Sequence, residues 1–164
     1  KCIVNAIYEK VNADSSVGQV SNDLLNYFSN VNPHLNTHFI IAGYDSNNTL
    51  PVVKQLFVAD QSIKNFSTNF SGAVWDGETA TLSKLFTQLY ANNPDETYCA
   101  IQNHGINFNF FNLQDAINFA QYAVDVTIKT MAFENCVKTV GGPVDILVIK
   151  PTESFWVARK ELHA

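Results

Sequence analysis

Few side chains in this 164-residue sequence fall in patterns that do chemistry. Cys2, Cys99 and Cys136 form no CxxC pair, so no thiolate set for zinc is spaced along the chain. The odd count reads as three buried thiols packing as small hydrophobes, or as one disulfide and a free thiol. His34 and His38 are four apart, but Pro33 and a strand start at 37 break the helix that would aim both at one metal. His104 sits between Asn103 and Gly105 and suits a turn, and His163 stands alone. Asp76, Glu78, Asp95 and Glu96 resemble paired carboxylates for acid–base work. The first two also mark a helix start, where the dipole favours negative charge. Gly141-Gly142 leads into a strand rather than a helix, so the amide cradle of a phosphate loop is missing. No cofactor is implied by these residues. Three sequons make Asn47, Asn65 and Asn69 candidate glycan acceptors, although an asparagine-rich chain also yields such triplets by chance.

These residues must be held by one domain, since the chain is of single-domain length and 46% hydrophobic. The net charge of −5 and the lack of a basic stripe argue against a nucleic-acid partner. No apolar run approaches membrane-spanning length, and no signal-peptide pattern opens the chain. The chain starts at Lys1 without an initiator Met, as a processed or trimmed product would.

The strongest periodic signal is Leu113, Ala116, Ile117, Ala120, Val124, Ile128 and Met131, a helical stripe over 113–133. Asn112 and Asp115 are spaced as a capping box, with Asp in place of Glu. The opposite face, Gln114, Asn118, Gln121, Asp125 and Lys129, suits solvent or a partner. After Gly141-Gly142 the nearly all-apolar run of Val144, Ile146, Leu147, Val148 and Ile149 predicts a strand covered on both sides. A turn at 151–154 and a strand at 155–161 complete a terminal hairpin. Upstream, the pattern predicts a helix over 17–29 ended by Asn32-Pro33. Strands at 37–44 and 52–58 follow as a hairpin, the first with Phe39-Ile40-Ile41-Ala42 as a buried centre, and then an extended stretch at 65–74. A helix opens at Asp76-Gly77-Glu78 with Leu82, Leu85, Phe86 and Leu89 on one face and ends at Asn92-Asn93-Pro94. The aromatic 95–111 segment holds a short strand at 98–101, and Phe108, Phe110, Phe111 and Trp156 suit a subunit contact or local packing. The class is α+β with antiparallel hairpins.

In this order the elements resemble the C-terminal two thirds of a proteasome β-type subunit, a member of the N-terminal-nucleophile (Ntn) hydrolase superfamily. Phe39-Ile40-Ile41-Ala42-Gly43-Tyr44-Asp45 is similar to the family's strand and turn, and Ser71-Gly72 to its Gly-Ser turn before a helix. Leu113-Gln114-Asp115-Ala116 through Met131 resembles its long helix, and Val140-Gly141-Gly142 its Ser-Gly-Gly turn. Asp145-Ile146-Leu147-Val148-Ile149 and Trp156-Val157-Ala158-Arg159-Lys160-Glu161-Leu162 resemble its last two strands. The ordered set over 17–162 carries the likeness.

The resemblance implies a four-layer αββα sandwich of two antiparallel sheets, with its N-terminal strands missing from this chain. It implies peptide- or amide-bond hydrolysis by an N-terminal threonine whose α-amino group is the base, tuned by a lysine and an aspartate on the first strands. In the family an aspartate and a serine three apart precede Gly-Gly; here those places hold Val137 and Val140, and only a loop shift brings Glu134 near. The turn serine corresponds to Ser71. Relatives in the superfamily use an N-terminal cysteine, which loss of Lys1 would make of Cys2, but no matching Asp or Lys pattern follows. The candidate catalytic residues are thus Ser71, Glu134 and Cys2, an incomplete set. Expected partners are an N-terminal companion fragment or like subunits. The alternative is a non-catalytic structural, storage or binding protein on the same fold. The compartment is cytoplasmic if the chain is proteasome-like, and secreted or vacuolar if the sequons are used.

Overall fold

The computed structural model describes residues 11–160 apart from 13, 47, 87–88, 96, 102–104 and 136. The apolar stretch at 1–8, whose pattern fits either a strand or the end of a helix, lies outside this range. The chain is mixed α+β, with three helices and three small antiparallel sheets among the described residues. Its residues cluster into two compact units. One holds the chain up to Gly72 with Ile149–Ser154; the other holds Ala73–Val148 and the chain from Phe155 onward.

The first unit begins with helix α1 (Val17–Val31), two residues longer than its periodicity indicates. Ser16 takes the N-cap, its hydroxyl accepting from Gln19 N–H at 3.0 Å. The Val17 N–H donates to Asp45 Oδ1 at 2.7 Å, so a second orphan amide of the first turn is satisfied from across the unit. At the other end Asn32 N–H donates to Phe28 O, and Pro33 follows. Strands β1 (His38–Gly43), β2 (Val52–Phe57) and β3 (Ser62–Phe66) form an antiparallel meander in that order. Val17, Phe28, Leu56 and Val58 make the core, and the Phe28 ring stacks on Phe39 at 4.9 Å. Buried Ser21 is satisfied within α1, its hydroxyl donating to Val17 O at 2.6 Å.

Strand β1 alternates, so its centre is half open: Phe39 and Ile41 turn inward, Ile40 and Ala42 outward. The face of Phe39 and Leu56 receives α1, and on the opposite face Gln55 is buried while Ile40 and Ala42 are exposed. The third strand occupies Ser62–Phe66 rather than 65–74, because a tight turn at 58–61 returns the chain to β2 at once. Residues 67–79 are irregular.

In the second unit, helix α2 (Ala80–Phe86) begins two residues after Glu78, and the predicted helix does not run to Asn92. Leu89–Asn92 is strand β4, paired with β5 (Tyr98–Ile101) in the register Leu89↔Ile101 to Asn92↔Tyr98. A neighbouring strand here outweighs helical spacing. Helix α3 (Leu113–Phe133) has the predicted ends and the predicted capping box: Asn112 Oδ1 accepts from Asp115 N–H, and Asp115 Oδ2 accepts from Asn112 N–H, both at 3.0 Å. Its covered side differs from the predicted stripe. Ile117, Ile128 and Met131 of that stripe are covered, but Leu113, Ala116, Ala120 and Val124 are exposed, and Phe119, Ala123 and Thr127 are covered in their place. The reason is aromatic: Phe119 meets Phe86, Phe108 and Phe111 at ring distances of 5.2–5.8 Å. Phe108 and Phe111 are therefore local packing groups, while Phe110 faces solvent.

After Gly142, which has φ +86°, the chain enters β6 (Ile146–Ile149) and returns as β7 (Ser154–Ala158). Lys150 N–H donates to Glu153 O at 2.8 Å and closes a two-residue tip. Asp145 Oδ1 accepts from Lys160 N–H at 2.6 Å and ties the open end. The strand is shorter than 144–149 and is not covered on both sides: Ile146 and Val148 are buried, but Leu147 is 43% and Trp156 47% exposed.

Three substitutions test these contacts. Asp45→Ala removes the acceptor of a part-buried helix N–H and should cost about 1–2 kcal/mol in chemical denaturation. Gly142→Ala forces a side chain into left-handed backbone and should cost about 1 kcal/mol or more, whereas Gly141→Ala, which meets open space, should be near neutral.

Candidate functional site

Of the residues proposed for catalysis, Ser71 and Glu134 are described, one in each unit. Ser71 lies exposed in the irregular 67–79 segment of the first unit. Glu134 is the exposed C-cap of α3 in the second unit, its N–H donating to Met131 O. Cys2 lies outside the described residues, as do Asn47, Glu96, Cys136, His104 and His163. Val137, at the position where the resembled family carries aspartate, is 83% exposed. Cys99 is an exposed free thiol rather than a buried one, because all four residues of β5 are exposed. His34 is exposed after α1, while the His38 ring packs edge-on against Phe57 at 4.5 Å. No group of three metal-ligating side chains occurs among the described residues.

The carboxylates have structural work. Asp76 Oδ1 accepts from the adjacent Gly77 N–H at 2.7 Å in the turn before α2. Asp95 organises the β4–β5 turn: its Oδ1 accepts from Thr97 Oγ1 at 2.6 Å and from Thr97 N–H at 3.2 Å, and Asn93 N–H donates to Thr97 O. The hydroxyl bond first, and the backbone bond second, hold the Asp95 carboxyl below the usual aspartate range. Of the sequons, Asn65 sits on β3 with its Oδ1 accepting from Lys54 Nζ at 2.6 Å, whereas Asn69 lies exposed in an irregular bend.

What the second unit does gather is a shallow depression of about 270 Å³ along α3. Its described lining is Asn118, Gln121, Tyr122, Asp125, Val126 and Lys129, residues recurring at three- and four-residue steps on one helix face. The polar members follow from the sequence pattern, whereas Tyr122 and Val126 broaden the face in a way that pattern did not single out. The groups offered are two amides, a phenol, one carboxylate and one ammonium. They can hydrogen-bond a partner surface, but they contain no nucleophile paired with a base.

The chain matches no protein-family model, no curated protein and no solved structure.

The Asp95 bonds favour the ionised carboxylate in the folded hairpin. Their contribution is therefore present above the ordinary aspartate pKa and is lost as pH falls through the lowered folded value. A carbon-detected NMR titration should place Asp95 below a free aspartate, and Thr97→Val should move it back up.

Proposed function

We propose that this chain is the C-terminal piece of a proteasome-like Ntn hydrolase acting on peptide or amide bonds, with the nucleophile supplied from outside the chain. The supporting observation is the open face of the β6–β7 sheet. A capped helix, a glycine corner in left-handed backbone and an apolar hairpin follow one another as in the resembled family. The hairpin buries Ile146 and Val148 yet leaves Leu147 and Trp156 to water. A layer taken from a stacked pair of sheets has that form, and the αββα sandwich would supply the missing cover.

In such an enzyme the hydroxyl or thiol of an N-terminal residue attacks the carbonyl carbon, and its own α-amino group takes the proton. The amide nitrogen leaves with that proton, and water then releases the acyl group. In this reading α3 and the β6–β7 hairpin support the sheet that carries the nucleophile.

A second reading, a non-catalytic structural, storage or binding protein on the same fold, is favoured by Val137 and Val140 at the family's polar positions and by the hydrogen-bonding groups along the α3 depression, which contain no nucleophile paired with a base. Treatment of the native protein with a β-lactone or epoxyketone probe, followed by intact-mass analysis, separates the two. The first reading expects label on a co-purifying peptide that begins with Thr, Ser or Cys. Absence of label together with absence of amide hydrolysis would establish the second. Label on this chain itself would overturn an external nucleophile.

A further inference from the structure

Asn65-Phe66-Ser67 and Asn69-Phe70-Ser71 are the same triplet, four positions apart, so their own residues do not distinguish them as glycan acceptors. The backbone does, and we propose that Asn69 carries an N-linked glycan while Asn65 does not. The chemistry sets the requirement. An amide nitrogen is a poor nucleophile, and its glycosylation depends on an enzyme that grips the asparagine together with the hydroxyl two residues on. In the transfer, Nδ2 bonds to the first sugar carbon of a lipid-linked oligosaccharide diphosphate. The bond from that carbon to the diphosphate oxygen breaks, the amide gives up one proton, and the lipid diphosphate leaves. The triplet must therefore lie at the surface, have a residue other than proline at its centre, and bend so that its two ends approach.

Asn69-Phe70-Ser71 meets these conditions. All three residues are exposed, and they lie past the end of β3, with Asn69 and Phe70 in a bend. Among the described residues, none makes a hydrogen bond to the Asn69 amide or to the Ser71 hydroxyl. All three belong to the first unit, so the site is not shared with the second. Phe70 is 79% exposed, and a hydrated glycan on its neighbour would stand beside that ring.

Asn65-Phe66-Ser67 starts inside the sheet. Asn65 pairs with Lys54 and Phe66 with Val53 of β2. A strand holds residues i and i+2 about 7 Å apart, so Asn65 and Ser67 converge only if β3 leaves its partner. The side chains add to this hold: Lys54 Nζ donates to Asn65 Oδ1 at 2.6 Å, and Lys64 Nζ lies 4.8 Å over the Phe66 ring. The inference does not rest on the hydrolase reading. It requires the chain to pass through the compartment that holds the lipid-linked donor, and it gives Ser71 the part of the acceptor triplet's hydroxyl.

Protein isolated from its own source is treated with peptide-N-glycosidase in heavy-oxygen water, which turns each glycan-bearing asparagine into labelled aspartate, and its peptides are sequenced by fragmentation mass spectrometry. Label is expected at Asn69 and not at Asn65. In secreted protein from eukaryotic cells, Ser71→Ala should remove the mass of one glycan, whereas Ser71→Thr and Ser67→Ala should each keep it. The threonine variant separates loss of the acceptor hydroxyl from loss of folding. Unlabelled Asn69, label at Asn65, or a Ser71→Ala chain of undiminished glycan mass would overturn the proposal.

Discussion

Ile146, Leu147, Val148 and Ile149 are apolar at every position, and a strand of that kind has no face suited to water. Much of what the second half of the chain does follows from how this constraint is met. The polar bonds around the strand are satisfied locally: Asp145 receives the Lys160 amide at one end, and the Lys150–Glu153 pair closes the other. The hairpin is thus fixed in register by its own termini. Its apolar side chains are only half accommodated. One face is buried and the other is open to water, and the proposed fold turns on this element.

In the first unit the corresponding constraint is the free N–H groups of α1. Ser16 satisfies one and Asp45 another, and the second bond also decides where the helix lies. Gly43, two residues before Asp45, makes room: a Cβ there would stand 3.1 Å from Val17 Cγ2. The Gly43-Tyr44-Asp45 triplet therefore has a physical meaning independent of any family likeness. The glycine permits close approach, and the carboxylate supplies the acceptor. Buried Ser21 and Thr127 follow a simpler rule, each donating to the carbonyl four residues back at 2.6 and 2.9 Å, so neither requires a partner outside its helix.

The chemistry was less legible than the elements. Asp76 and Asp95 have the residue types of an acid–base pair, yet the geometry gives each a turn to hold. The periodic polar face of α3 was visible as a pattern, and the structure makes it a shallow groove because Tyr122 and Val126 flank it. A catalytic set requires side chains from distant segments to converge, and spacing along the chain cannot report convergence. Ser71 and Glu134 illustrate this, since they are 63 positions apart and belong to different compact units.

By itself the sequence determined the features that depend on neighbours within a few residues. The ends of α3 follow from Asn112 and Asp115, the stop of α1 from Asn32-Pro33, the β1–β2 hairpin from its polar turn, and the corner before β6 from Gly141-Gly142. Only the tertiary structure decided the rest. It turned Leu89–Asn92 into a strand by giving it Tyr98–Ile101 as a partner, rotated the covered side of α3 towards Phe119 by surrounding that ring with aromatics, and opened one face of β6 to solvent. Caps and turns act through bonds three or four residues long, whereas a face is buried only by residues that folding brings to it from elsewhere in the chain.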